Sequence, residues 1–275
     1  MIDSVLAWFT EPFIYPFMQQ ALIIAPIVAI VCATLSCYLV LKGWSLMGDA
    51  ISHAVLPGIV IAHLLAIPLA IGAFVSGIFC TIAVGYLKDN SRIKEDTVMG
   101  IVFSGMFAFG LVLFTKVETD QHLMHILFGD ILGITQQEFY QTLWISLFAF
   151  GLILLKRKDF LLYCFDPIHT RTVGLNIKLL HYGLLVILAL VIISAMQVVG
   201  VILVVAMLIS PGITGYMLAK RFDRMLLIAI ITSVSSAILG VLFSFHFNVA
   251  TGPCIVLLQA VFFLTSFAIS KFKTR

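Results

Sequence analysis

Charged residues are scarce in this chain, and their scarcity excludes an ordinary soluble protein. Asp, Glu, Lys and Arg make up 11% of the 275 residues, whereas soluble domains contain about 25%. Hydrophobic residues account for 62%, and the mean hydropathy is +1.16. No low-complexity tract or long linker divides the chain. We therefore expect an integral membrane protein with a single transmembrane domain over residues 1–275.

Several chemical motifs are also missing. No GxxxxGK[ST] loop occurs in the sequence, so any ATP hydrolysis must come from another polypeptide. There is no HExxH pair, which disfavours a membrane-embedded metalloenzyme, and no CxxC spacing. The five cysteines lie in or beside apolar stretches, which favours small buried side chains over disulfides or a thiolate metal site. We expect no enzymatic activity, no permanently bound cofactor and no nucleic-acid partner.

Long apolar stretches predict the architecture of the chain. A membrane helix needs about 20 apolar residues, and the sequence predicts an all-α polytopic bundle of about eight or nine transmembrane helices in contact with lipid. The nine candidate spans are 16–41, 46–65, 67–87, 98–115, 138–155, 179–196, 198–218, 225–245 and 251–270.

The basic residues orient these spans. With the N-terminus outside and the C-terminus inside, Lys116 alone faces outward, and the other 15 of the 16 Lys and Arg residues face the cytoplasm. Positive residues concentrate in cytoplasmic loops. The sequence thus predicts a multi-pass membrane protein with that orientation.

One acidic residue stands out because it cannot be assigned to a loop or to the end of a span. Asp49 lies in GDAISHAV, residues 48–55, and an ionised carboxylate within a membrane costs roughly 2.5–3.5 kcal/mol on insertion scales. His53 follows one helical turn later, so both side chains share a helix face. Carboxylate oxygen and imidazole nitrogen suit divalent first-row metals. We interpret the pair as a metal site, with proton handling or a structural kink near Pro57 as the alternatives.

A second Pro-Gly-Ile sequence occurs in MLISPGIT, residues 207–214. The same three residues occur in HAVLPGIV, and the two spans that contain them are predicted to cross the membrane in opposite directions. This arrangement would fit an inverted repeat around a midplane pathway. We predict an interrupted helix at Pro211, as at Pro57, and take Met207 and Ser210 as candidates for lining the pathway.

Two loops carry further candidate residues. The outer segment 116–135 contains Glu118, Asp120, His122 and His125, which we interpret as a gate or a docking surface.

The inner segment 165–176 predicts a short helix. Asp166 is its N-cap, Pro167 its first residue and Gly174 its end. Such a helix would offer a soluble partner a place to bind, and an ordinary structured loop is the alternative.

Five segments together resemble a known family, the membrane permease subunits of bacterial ABC importers for manganese, iron and zinc. The resemblance covers essentially the whole chain. Its segments are LKGWSLMGDAISHAVLPGIVIA (41–62), GYLKDNSRIKEDTVMGIVFSGMF (85–107), HILFGDILG (125–133), DPIHTRTVGLN (166–176) and VGVILVVAMLISPGITGYMLAKRF (199–222). The sequences LKGWSLMGDA and KDNSRIKEDTVMG are more similar to the chelated iron and manganese branch than to the zinc branch.

The resemblance implies a location in the bacterial cytoplasmic (inner) membrane, and it also implies partners and roles. It implies two copies of the permease, a separate cytoplasmic ABC ATPase and an external metal-binding protein. It places metal handling at Asp49 and His53, and it makes 166–176 the coupling helix that contacts the ATPase. The coupling residues are Asp166, Pro167, His169, Arg171, Gly174 and Asn176. The cargo would be Mn(II) or Fe(II), with Zn(II) as a further candidate.

A different class of function also fits the pair. In a proton-coupled secondary metal transporter or a channel, Asp49 and His53 would exchange protons for metal, because both side chains titrate. Transport without any ATPase would favour that function, whereas strict dependence on an ATPase would favour the importer.

Overall fold

The computed structural model describes residues 11–44, 46–115 and 131–273. These residues are almost entirely helical, as expected for segments that must satisfy their backbone hydrogen bonds internally. Short 3-10 helices lie at Glu11–Ile14 and Ile131–Gly133. The α-helices are α1 Pro16–Lys42, α2 Met47–Ala54, α3 Leu56–Leu64, α4 Leu69–Asp89, α5 Glu95–Phe114, α6 Gln136–Leu155, α7 Arg157–Phe165, α8 Pro167–Thr172, α9 Ile177–Val199, α10 Val201–Leu218, α11 Phe222–Phe247 and α12 Thr251–Lys273.

The predicted all-α membrane architecture is confirmed. Among the described residues, nine helical segments are long and apolar enough to cross a membrane. Each corresponds to one predicted span, and no segment end differs by more than three residues. The second span is composed of α2 and α3 together.

The described residues pack as two compact units. The first contains residues 11–40, 131–147 and 195–273, and the second contains 41–44, 46–115 and 148–194. In the first unit α10, α11 and α12 contact one another. In the second unit α2, α3, α4 and α5 contact one another, and α7 contacts α8. That the chain forms a single transmembrane domain stays a prediction.

A one-residue interruption at Val55 separates α2 from α3 in the second unit. Val55 keeps helical dihedral angles, with φ −71° and ψ −26°, so the interruption is a mild kink. Pro57 lies at the start of α3, where a missing N–H is tolerated. The neighbouring helix supports the kink, because the Ser76 hydroxyl on α4 donates to the Ala54 carbonyl at 2.7 Å.

Two glycines bring α3 and α4 into close contact just beyond this kink. A Cβ on Gly58 would collide with the backbone carbonyl of Gly72, and a Cβ on Gly72 would collide with that of Gly58. Small residues at such crossings let membrane helices approach by backbone contact. The α3–α4 crossing therefore fixes the position of α3, and with it the kink that follows α2.

The prediction of an interrupted helix at Pro211 is wrong. Pro211 lies inside α10, which continues from Val201 to Leu218. A neighbouring segment supports this turn of the helix: the Ser36 hydroxyl on α1 accepts from the Gly212 N–H at 2.9 Å and donates to the Ile209 carbonyl at 3.3 Å. Proline is tolerated in membrane helices when such side chains satisfy the backbone. The inverted repeat stays a prediction.

Candidate functional site

Asp49 and His53 are brought together as predicted from their spacing. Both lie on α2, and the His53 Nε2 atom is 3.3 Å from the Asp49 Oδ1 atom. The two side chains are 35% and 37% exposed for His53 and Asp49, whereas Ala50, Ile51 and Ser52 between them are buried. The pair is thus the accessible polar part of a helix whose other face is packed against protein.

The separation of these two atoms suits chelation of one metal ion. With metal–ligand bonds of about 2.1 Å, two ligand atoms at angles of 90–109° lie roughly 3.0–3.4 Å apart. The observed 3.3 Å between nitrogen and oxygen falls within this range. A cation could therefore bind both atoms with little movement of either side chain.

Two aromatic rings from α5 flank the imidazole. The Phe103 ring stacks on His53 with centroids 6.1 Å apart, and the Phe107 ring meets it edge-on at 5.1 Å. These rings restrict the orientations available to His53 and leave it an apolar surrounding on that side. Sequence reasoning missed both phenylalanines, since they lie about 50 residues along the chain and nothing local marks them.

The pair contributes two ligands, and the described residues place no third His, Cys, Asp or Glu with it to form a larger cluster. First-row divalent ions bind four to six ligand atoms. Any ion at Asp49 and His53 would complete its coordination with other oxygen atoms, such as those of water or backbone carbonyls.

The candidates on α10 lie in the first unit. Met207 is fully buried, and the Ser210 hydroxyl donates to the Gln259 backbone carbonyl at 3.4 Å. Pro211 is buried in the same helix. These contacts are those of a packed helix interface, so a role for the three residues in lining a pathway stays a prediction.

The four candidates of the outer segment, Glu118, Asp120, His122 and His125, lie outside the described residues. Their interpretation as a gate or docking surface stays a prediction.

The inner segment folds as the sequence predicted. The Asp166 carboxylate accepts from the N–H groups of Ile168 and His169, both at 2.9 Å, and Pro167 is the first residue of α8. At the other end, Gly174 has φ +85°, the Gly174 N–H donates to the Arg171 carbonyl and the Leu175 N–H donates to the Thr170 carbonyl. This is the Schellman pattern that ends a helix.

The surface of α8 is available for contact with another protein. His169 and Arg171 are exposed, as are two apolar side chains, Ile168 at 80% and Val173 at 58%. Asn176 begins the next helix, since its side-chain oxygen accepts from the Leu179 N–H at 3.2 Å. The predicted coupling residues therefore form one capped, exposed element.

Comparison with known proteins agrees with the architecture. Residues 14–270 match the model of the ABC 3 transport family. The chain is 64% identical to the "Chelated iron transport system membrane protein YfeD" of Yersinia pestis, over 96% of this chain and 89% of that protein. It is 52% identical to the "Manganese transport system membrane protein MntB" of Synechocystis sp., over 94% of this chain and 84% of the relative.

A solved structure has the same fold. The chain superposes on one in "PsaBC from Streptococcus pneumoniae in complex with Fab" with a TM-score of 0.85 and 39% identity, covering 96% of this chain and 95% of that one. Fold and spans define a multi-pass membrane permease. The chain belongs to the ABC 3 transport family, which confirms the resemblance to its iron and manganese branch.

Proposed function

We propose that this protein is the translocating subunit of an ATP-driven importer for Fe(II) or Mn(II), and that Asp49 and His53 bind the ion during its passage. The observation that carries the proposal is their 3.3 Å contact on an accessible helix face. Relatives named for iron and for manganese transport support this choice of cargo. A carboxylate and an imidazole bind both ions, and Zn(II) as well, so the pair alone does not select one metal.

ATP hydrolysis in this proposal belongs to a separate cytoplasmic subunit that binds α8. The exposed apolar side chains Ile168 and Val173 and the Arg171 cation are suited to a groove in a soluble protein. The strong bias of Lys and Arg supports a cytoplasmic position for α8, with the N-terminus outside and the C-terminus inside the bacterial inner membrane. Two copies of the permease and an external metal-binding protein complete the proposed importer.

Metal uptake by site variants tests the proposal. We expect Asp49→Asn and His53→Ala each to reduce uptake of radioactive manganese or iron by about tenfold or more, because loss of even a supporting residue of a metal site costs that much. The measurement uses cells that lack other importers and express the complete transporter. Membrane insertion and co-purification with the ATPase should be unchanged.

Matched substitutions away from the pair provide the control. His63→Ala on α3 and Asp96→Asn on α5 change the same residue types at exposed positions, and both should transport normally. Normal uptake by Asp49→Asn or by His53→Ala, at equal amounts of protein in the membrane, would exclude the pair as the route of the ion.

A proton-coupled secondary transporter or channel is the second candidate, since polar side chains within membrane segments also form proton relays. Proteoliposomes that contain the permease with or without its ATPase distinguish the two. Uptake that requires both ATP and the ATPase supports the importer. Metal uptake driven by a pH gradient in the permease alone would support the second candidate.

A further inference from the structure

Four side chains of the second unit form a cluster that the proposed transport role does not use. We call it the inner aromatic cluster: Lys42, Trp44, Tyr163 and His181. The Lys42 ammonium lies 4.0 Å from the centre of the Tyr163 ring and 5.9 Å from that of Trp44. The Tyr163 hydroxyl and His181 Nδ1 are hydrogen-bonded at 2.8 Å, and the His181 ring meets Trp44 edge-on at 5.2 Å.

Two members of the cluster are buried, and Lys42 and His181 are half-buried. Trp44 is 1% exposed and Tyr163 is 3% exposed. The Trp44 indole N–H has no hydrogen-bond partner among the described residues, so ring contacts hold this side chain. Cation–π contacts strengthen when the groups are removed from water, and here the Tyr163 ring is buried while Lys42 is half-buried. Burial of the adjacent Cys164 raises the pKa of its thiol to about 12, and the Lys42 charge partly offsets that effect.

One side of the cluster leads to the helix that bears the metal pair. Trp44 lies in the short connection between α1 and α2, and its carbonyl accepts from the N–H of Met47, the first residue of α2, at 3.1 Å. Asp49 is in the first turn of that helix. Trp44 is therefore hydrogen-bonded directly to the start of α2.

The other side leads to the helix proposed to bind the ATPase. Tyr163 is on α7, whose last residue, Phe165, directly precedes Asp166. The Asp166 N–H donates to the Leu162 carbonyl of α7 at 2.9 Å, and the Asp166 carboxylate caps α8. Since α7 and α8 also contact each other, continuous hydrogen-bonded backbone connects α8 to Tyr163.

We propose that the inner aromatic cluster is the joint that couples α8 to the metal-binding helix α2, with Lys42 and Tyr163 as positioning residues. The inference rests on the proposed function and adds the path by which ATPase binding reaches Asp49. Coupling of two sites requires a packed element that both can move. The cluster supplies such an element, because the Lys42 ammonium contacts both Trp44, which precedes α2, and the Tyr163 ring on α7.

Uptake measured per ATP hydrolysed tests the joint. In the reconstituted transporter, Lys42→Met should keep ATP hydrolysis but reduce metal transported per ATP by about fivefold or more, the lower range of allosteric couplings. Lys42→Arg should restore the ratio, because a guanidinium also binds an aromatic face. Lys156→Met is the matched control, since Lys156 is an exposed lysine paired with Asp159.

Two outcomes of this experiment would overturn the proposal. The first is a normal ratio in Lys42→Met, and the second is an equal loss in Lys42→Met and Lys42→Arg. Failure of the proposed function is distinguishable, because wild-type uptake would then be independent of ATP or unaffected by Asp49→Asn.

Trp44 fluorescence provides a readout that holds even if Lys42→Met does not assemble. The chain has three tryptophans, so Trp8→Phe with Trp144→Phe leaves Trp44 as the single tryptophan of the permease, to be measured with an ATPase whose own tryptophans are replaced by phenylalanine. Binding of the ATPase should shift its emission in this background. Adding Tyr163→Leu, which removes both the ring and the hydrogen bond to His181, should abolish the shift without preventing ATPase binding. An unchanged shift of the Trp44 emission in Tyr163→Leu would overturn the proposal.

Discussion

The crossing of α3 and α4 allows a sharp prediction about stability, since one methyl group should be enough to disturb it. In Gly58→Ala the new Cβ would meet the Gly72 carbonyl and lie 2.5 Å from the Ser76 Cβ. Neither contact can be relieved by rotating a side chain, because both partners are fixed to α4. Overpacking of this kind costs about 1–3 kcal/mol. Relief by separating the helices would also pull Ser76 from the Ala54 carbonyl beside the pair.

Thermal unfolding of the purified permease in detergent measures the effect. We expect Gly58→Ala to lower the melting temperature by several degrees, since about 1 kcal/mol corresponds to roughly 2–4 °C for chains of this size. Gly105→Ala on α5 is the control, because nothing lies within 4 Å of the added Cβ there. Its melting temperature should be unchanged or slightly higher. Equal melting temperatures for both variants would refute the close crossing.

Three further predictions concern other contacts. Asp166→Ala should destabilise α8 by about 0.5–2 kcal/mol through loss of its N-cap, and it should weaken ATPase association in a pull-down. Asp166→Asn can still cap the helix and should retain most of the binding. Equal losses in the two variants would contradict the capping role. Ser36→Ala should lower stability by about 0.5–1.5 kcal/mol, because the hydrogen bond from the Gly212 N–H to the Ser36 hydroxyl is lost. An unchanged melting temperature would disprove that support. Cys164, whose thiol pKa burial raises to about 12, is almost entirely protonated at pH 8, and only the thiolate is nucleophilic. Peptide mass spectrometry should therefore find it unalkylated by iodoacetamide in the folded protein and alkylated after denaturation, whereas rapid alkylation at pH 8 in the folded state would contradict its burial.

Composition and local motifs were sufficient to predict the membrane helices and α8. Apolar runs gave the spans because a bilayer demands about 20 such residues wherever a helix crosses it. The ends of α8 followed from Asp166, Pro167 and Gly174, whose preferences depend on the adjacent backbone alone. In both cases the physical cause lies within a few residues of its effect.

The parts that could not be predicted depend on contacts between distant segments. Pro57 and Pro211 look alike in sequence, yet a helix interruption accompanies only the first. Ser76 supports the kink at Ala54, whereas Ser36 supports the continuous turn at Gly212. Which of these occurs depends on the helix that packs alongside, and a single sequence does not reveal it. For the same reason the pair at Asp49 and His53 was found from spacing, but its partners Phe103 and Phe107 were not.

The chemistry of the pair suits the proposed role, in which an ion must leave as well as bind. A structural zinc site encloses its ion with four protein ligands, whereas Asp49 and His53 present two ligand atoms on one accessible helix face. Conduction requires binding strong enough to remove part of the hydration shell and weak enough for release. The phenylalanine rings beside His53 help to meet the first condition, because they limit the access of water to one side of the imidazole. The exposure of both side chains meets the second condition, because water or a backbone oxygen can replace Asp49 or His53 as a ligand and so release the ion. A pair of this kind is therefore better suited to passing a metal onward than to keeping it.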